Sequence, residues 1–442
     1  MLGNHLFRKV KRSITALCLV FAVNGSMAWA QTPTATVTGQ ARDASGAAVP
    51  GARVVARNVQ TNIEREAVTS ENGDYTIPLL NIGEYQVSVE KQGFKKAVQT
   101  GLVLQVDQKA RLDFTLQIGQ VSESVEVTAA ASLVQTDSAS VGTVIDNKRV
   151  LELPLNSREF YALALTAPRV LPPAQGSTLG FRGGFNVAGS SEVSNNFTLN
   201  GIDNNDTGIN GPSFRPSIDA IQEFKMLSGI YSAEYGRNSG GQVVINTKSG
   251  TNQFHGTAYE FLRNQALDAR NFFLRLKPGE KAPSFKRNLF GSSFGGPVVN
   301  DKTFFFVSYE GLRLRQSVTS LATVPTEDMA KGDFSALRGP GPDQILGNAD
   351  DTGRVFNPIT GQEFAKPNVI DLPLNPIGQA LAKFFPTPTT ATPAGQAPSN
   401  NYNFSATRRE DYNQISSRFD HTLSSKDSLY GTFNYYDNCD GS

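Results

Sequence analysis

Gly291-Ser292-Ser293-Phe294-Gly295 has the G-x-S-x-G spacing of a nucleophile elbow. That chemistry needs the serine raised on a strand–turn–helix, with a histidine base and an acid to orient it. Here the motif lies in a strand-like run, followed by Pro297 and a second strand-like run. Of the three histidines, His5 belongs to the N-terminal leader, and His255 and His421 stand at the ends of candidate strands, where they read as interfacial polar residues. Small glycine and serine side chains in a strand that another element approaches closely account for the motif better than a hydrolase does. Asp203-Asn204-Asn205-Asp206-Thr207-Gly208 opens like a calcium loop, with glycine at position 6, but position 12 is Phe214 where an EF-hand needs a bidentate glutamate. It reads as a polar loop. No His/Cys cluster has metal-ligand spacing and no G-x-x-x-x-G-K-[ST] loop occurs. The expectation is a protein that is not an enzyme, with no catalytic residue, cofactor or metal.

The elements around these residues therefore carry the reading. The 442-residue chain has room for two to four domains, and its formal net charge of +1 gives no pull toward nucleic acid. Arg8, Lys9, Lys11 and Arg12 precede an apolar run, Ile14 to Val23, too short for roughly 30 Å of hydrocarbon. Ala28-Trp29-Ala30 then gives an A-x-A cleavage site. Residues 1–30 read as a secretory signal peptide. Cys18 would leave with it, so Cys439 remains and no internal disulfide framework is expected. No later stretch of about 18 apolar residues exists, so a membrane location requires β-strands.

Residues 31–118 read as a β-sandwich. Ala35–Ala41, Arg53–Asn58, Tyr75–Ile77, Tyr85–Glu90 and Arg111–Leu116 are strand-like and separated by turn signals such as Asn72-Gly73. The order VTGQARDASGAAVPGARVVARN…ENGDYTIPLLNIGEYQVSVEKQGF resembles the carboxypeptidase regulatory-like domain, a transthyretin-like sandwich also grouped with starch-binding-like domains. That resemblance implies a module found in front of bacterial outer-membrane receptors, and some of its relatives bind carbohydrate. Residues 119–135 form a linker. Within it Val125-Glu126-Val127-Thr128-Ala129 resembles the TonB box, a segment that adds as a strand to an energy-coupling protein. The same residues also read as a last sandwich strand.

Residues 136–250 resemble the plug domain of TonB-dependent, Oar-like receptors. The match rests on FNVAGSSEVSNNFTLNGIDNND (185–206) followed by SIDAIQEFKMLSGIYSAEYGRNSGGQVVINTKSGTNQFHG (217–256). Gly201 and Asp203 occupy its glycine–acid turn, Ile218, Ile221 and Phe224 are expected on one face of a short helix, and Gly240-Gly241 break the chain before a final strand. Arg182, beside Gly183-Gly184, is a candidate for locking plug to barrel wall through a buried ion pair.

Residues 251–442 read as the start of an outer-membrane β-barrel. Candidate strands are His255–Arg263, Asn288–Val298, Thr303–Arg315, Tyr412–Thr422 and Ser428–Tyr436. Their connections alternate long, short, very long and short, as in barrels with short periplasmic turns and long external loops. Phe304-Phe305-Phe306 belong to an interfacial girdle or a core strand. The proline-rich segment 316–411 is expected to be poorly ordered, and the polar tail after Tyr436 does not look like a closing strand. The resemblance implies a barrel of about 22 strands. Five cannot close one, so the chain reads as a fragment.

The fold class expected is thus mainly β: a transthyretin-like sandwich, an α+β plug, then the first strands of an incomplete transmembrane barrel. The resemblance implies energy-coupled uptake at the outer membrane of a Gram-negative cell. Its partners would be a periplasmic TonB-type protein, outer-membrane lipid and an external carbohydrate, peptide or chelate. A secreted or surface carbohydrate-binding adhesin is the alternative.

Overall fold

The computed structural model describes residues 34–120, 124–128, 140–153, 158–173, 184–232, 238–269, 283–393, 395–425 and 427–441, with the single positions 155, 177 and 235. The candidate leader, Ala129 and Arg182 lie outside the described residues.

Nine strands build the N-terminal module: β1 (Ala35–Asp43), β2 (Arg53–Asn58), β3 (Glu64–Val68), β4 (Asp74–Leu80), β5 (Gly83–Glu90), β6 (Lys96–Leu104), β7 (Lys109–Arg111), β8 (Phe114–Leu116) and β9 (Ser124–Thr128). One sheet pairs β4, β1 and β7, with β8 also on β1; the other runs β3-β2-β5-β6-β9. The two-residue period of β1 and β5 buries every second side chain. Val37, Ile77, Val54, Val87 and Leu102 meet in one core between the sheets. β3 and β6 were absent from the expected strands. β3 carries three charged residues in five, and β6 splits its apolar residues, Ala97-Val98 and Leu102–Leu104, around Gln99-Thr100-Gly101.

A second sheet, β10-β15-β16-β13-β14, follows: β10 (Gly142–Asp146), β13 (Asn196–Leu199), β14 (Ile202–Asp203), β15 (Ile221–Leu227) and β16 (Gln242–Thr247), with the two-stranded β11 (Val170–Leu171) and β12 (Asn186–Val187) beside it. Asp146 caps the short helix α1 (Asn147–Glu152), its side chain accepting from the Arg149 amide. The helix expected through Ile218, Ile221 and Phe224 is instead one 3-10 turn, Ile218–Ala220, running into β15. β15 is buried on both faces. Such a strand places apolar residues at spacings that imitate a helix face. Phe224 meets Phe160 edge-on at 5.6 Å, and Tyr161 meets Phe197 likewise at 5.6 Å.

The third sheet has the order β17-β18-β19-β20-β21: His255–Asn264, Phe285–Val299, Thr303–Ala322, Tyr402–Thr422 and Ser428–Gly441. Its end strands β17 and β21 do not pair with each other, so the barrel is not closed. All five expected strands are present and each runs further than expected, three of them most. β19 extends to Ala322, β20 begins at Tyr402 and β21 continues to Gly441, which corrects the limits of the long loop and of the last strand. Most of the added residues are polar, with Val318, Leu321 and Phe404 as exposed apolar exceptions.

The remaining connection, 323–401, is also ordered. Thr326 caps α2 (Glu327–Ala330) and Asn375 caps α3 (Pro376–Ala382). Asp351 pairs with Arg338, and Glu363 with both Arg338 and Arg354. The buried Asn368 side chain holds the chain at Val355, Gly353 and Phe334.

The chain divides into two compact units. The first comprises the two N-terminal modules with Ser292–Tyr309 and Gln414–Tyr436; the second comprises Tyr259–Gly291, Glu310–Asn413 and Asp437–Ser442.

Candidate functional site

The proposed coupling residues Val125, Glu126, Val127 and Thr128 form β9, lying parallel to β6 with Val98 opposite Glu126 and Thr100 opposite Thr128. The two readings of this segment, a pairing strand and a last sandwich strand, therefore fall on the same residues. β9 is the end strand of its sheet, so one backbone edge is paired and the other is not paired within that sheet.

Gly201 and Asp203 share the β13–β14 hairpin. Asn200 and Gly201 have φ of 51° and 79°, the double positive φ that a tight hairpin turn uses. The Asp203 carboxylate accepts from the Asn205 amide at 3.1 Å, and Asp206 accepts from the Gly208 and Ile209 amides, so the calcium-like loop spends these carboxylates on its own backbone. Gly240 has no room for a side chain: a Cβ there would stand 2.6 Å from the Ser194 carbonyl oxygen. The Gly241 amide donates to Asn195 Oδ1 at 2.9 Å. Gly240 and Gly241 thus converge on Ser194 and Asn195, while Gly201 and Asp203 serve a separate turn. Gly291–Gly295 lies within strand β18, not on a strand-to-helix turn.

Contacts missed by the sequence reading join the modules. The buried Glu223 carboxylate on β15 accepts from the Val106 amide, and Lys225 Nζ donates to the Asp107 carbonyl at 3.1 Å and its carboxylate at 3.0 Å. Lys225 is 3% exposed. Burial pushes the Glu223 carboxyl up to about 7, opposed by the Val106 amide and the Lys225 ammonium. The sandwich also meets the strand ends. The Asn252 amide donates to the Gln60 carbonyl at 3.0 Å, Asn62 Nδ2 to Asp301 Oδ1 at 2.8 Å and Arg65 to the Ser425 carbonyl at 2.8 Å. Asp301 and Ser425 lie in the two short turns of the third sheet.

A cavity of about 550 Å³ opens between these parts, lined among others by Gln60 of the sandwich, Asn246 and Lys248 at the end of β16, and Arg418 and Tyr430 of the third sheet. Arg418 pairs with Asp420 at 2.8 Å and lies over the Tyr430 ring. The Tyr430 hydroxyl donates to the Asn200 carbonyl at 2.7 Å. Isolated polar residues in strands carry no spacing signal, which is why this grouping was not legible from sequence.

On the third sheet burial is inverted along β20 and β21, whereas Leu289, Leu312 and Leu314 of β18 and β19 are buried in an apolar cluster. Ser308, Glu310, Gln414 and Ser416 are buried, whereas Phe294, Phe419, Leu429 and Phe433 are exposed, the last two each by 62%. Phe254, Phe294 and Phe305 cluster next to the short turns, with Phe305 5.7 Å from Phe294. Phe304 and Phe306, flanking Phe305, are buried instead. The run thus serves both a surface cluster and the interior.

Residues 246–440 match the family of outer membrane beta barrel domains, and residues 36–117 the carboxypeptidase regulatory-like domains. The chain is 28% identical over 320 residues to the TonB-dependent transporter Oar of Myxococcus xanthus, an alignment covering 69% of this chain and 29% of that protein. It spans less than a third of the length of that relative. Among solved structures it is similar to the siderophore receptor PirA of Acinetobacter baumannii (16% identical, 68% of this chain and 32% of that one, TM-score 0.36). It is also similar to the outer membrane transporter YddB of Escherichia coli (13% identical, 64% and 31%, TM-score 0.35).

Proposed function

We propose that this chain belongs to an outer-membrane receptor for energy-coupled uptake, in which residues 1–30 direct export, 31–118 form a periplasmic sandwich, 119–135 the coupling linker, 136–250 the plug and 251–442 the first barrel strands. The observation that carries this reading is the inverted burial along β20 and β21 of the third sheet. Water favours apolar residues inside and polar ones out, and only a hydrocarbon surround reverses the preference along alternating strands. A secreted adhesin would present polar outer faces on these strands. Phe254, Phe294 and Phe305 then mark the girdle at the short-turn end. Short turns face the periplasm in such barrels, and the sandwich contacts Asp301 and Ser425 in those turns. The sandwich and β9 accordingly face the periplasm, where a coupling protein adds a strand to Val125–Ala129.

Deleting Val125–Ala129 from the full-length protein tests the coupling role. Uptake of the external solute is expected to be lost while its binding at the cell surface is kept, because strand addition uses the backbone of this segment. Uptake equal to that of the unaltered protein would show that the segment is only a linker.

A further inference from the structure

The cavity above the end of β16 holds two groups that its own walls leave unanswered. Asn246 is 1% exposed, yet among the described residues neither its amide nitrogen nor its amide oxygen has a hydrogen-bond partner. Burying an amide without partners costs the desolvation of both its polar atoms, so a side chain held this way points to something polar that completes it. Two residues on, Lys248 is partly buried with no carboxylate in hydrogen-bond contact. The Asp219 charge it senses is already paired with Arg158 at 2.6 Å. Burial holds the Lys248 ammonium below the usual lysine range, the sign of a cation that has lost water and gained little in exchange. Across the cavity Arg418 adds a second cation, fixed by Asp420 and by the Tyr430 ring. Among the described residues lining the space none has an acidic side chain, and its volume of about 550 Å³ falls in the range of small-molecule sites.

We propose that this cavity binds a small organic anion, a solute bearing a carboxylate or phosphate group, with Lys248 and Arg418 answering its charge and the Asn246 amide orienting it. The site lies at the short-turn side, with Gln60, Asn81 and Ile82 of the sandwich forming part of its wall. The sandwich thereby becomes part of a binding site, and a solute there touches sandwich, plug and strands at once. The inference does not depend on uptake: a failure of the transport reading appears in uptake, and a failure here appears in labelling at the cavity.

The test places a single cysteine at Ser249, which lines the cavity, in full-length protein with Cys18 and Cys439 replaced by serine. Two methanethiosulfonate reagents of similar size are compared, one bearing a sulfonate and one a trimethylammonium group. Their rate ratio is normalised to that at an exposed sandwich position, Ser45→Cys. The sulfonate reagent is expected to be favoured by roughly tenfold at position 249. Lys248→Gln and Arg418→Gln should each reduce that preference, and Lys248→Arg, which keeps the charge, should preserve it and guards against misfolding as the cause. Millimolar citrate or inorganic phosphate should slow the labelling while sorbitol does not, and the stronger of the two anions identifies the preferred group. A ratio equal to the control, a preference for the cationic reagent, or no reaction with either would overturn the proposal and leave the space as a hydrated gap.

Discussion

Glu223 and Lys225 show how a single strand turns toward a neighbouring module. Both side chains leave β15 and end on the backbone of the β6–β7 turn, where Asp107 takes a φ of 51° that presents its carbonyl and carboxylate to the same ammonium. Because burial raises the Glu223 carboxyl to about 7 from 4.5, the folded protein keeps a proton there that the unfolded chain has already released. Between about pH 4.5 and 7 the folded state therefore binds more protons, and stability from this group falls as pH rises through that window. Glu223→Gln removes the titration and keeps the shape. The denaturant midpoint of the variant should change less between pH 4.5 and 7 than that of the parent; identical slopes would contradict the assignment.

At the scale of elements, the connection 323–401 behaves as a folded cap. Asp351 accepts from Arg338 and from the Gly347 amide at 2.8 Å, and the Arg338 side chain is itself buried. Asp351→Ala leaves that guanidinium with the longer contacts to Glu363 at 3.5 Å and to the Asn348 carbonyl at 3.4 Å. Removing one partner leaves the other charge uncompensated, which destabilises the segment it holds. Limited proteolysis should cut the variant within 323–401 at least ten times faster than the parent while the strands stay protected; equal rates would show that the pair holds nothing. This order was hidden in the sequence, where proline, glycine and small polar residues describe a folded loop and a disordered one equally well. Regular alternation was legible: Leu429, Gly431, Phe433 and Tyr435 share the exposed face of β21 as their spacing required. The glycine-rich turn at Gly201 was legible because backbone conformation demands that residue type. β15 misled because burial on both faces erases the two-residue period. The cavity residues Asn246, Lys248 and Arg418 come from strands far apart in sequence, and no local pattern could have grouped them.

For the whole molecule, the third sheet ends in two unpaired strands, β17 and β21, and hydrocarbon offers an open edge no hydrogen-bond partners. Further strands must meet these edges before the sheet can stand in a membrane, in keeping with the share of its transporter relative that the chain spans. The sidedness of the finished assembly is then set by which loops the sandwich touches. Its contacts to Asp301 and Ser425 put it on the side of the short turns. The most direct test labels cysteines in intact cells with a membrane-impermeant thiol reagent, using full-length protein free of Cys18 and Cys439. Thr360→Cys in the cap should react at once, and Glu71→Cys in the sandwich should react only after the outer membrane is permeabilised. Labelling of Glu71→Cys on intact cells, or protection of Thr360→Cys, would contradict an outer-membrane receptor with its sandwich in the periplasm.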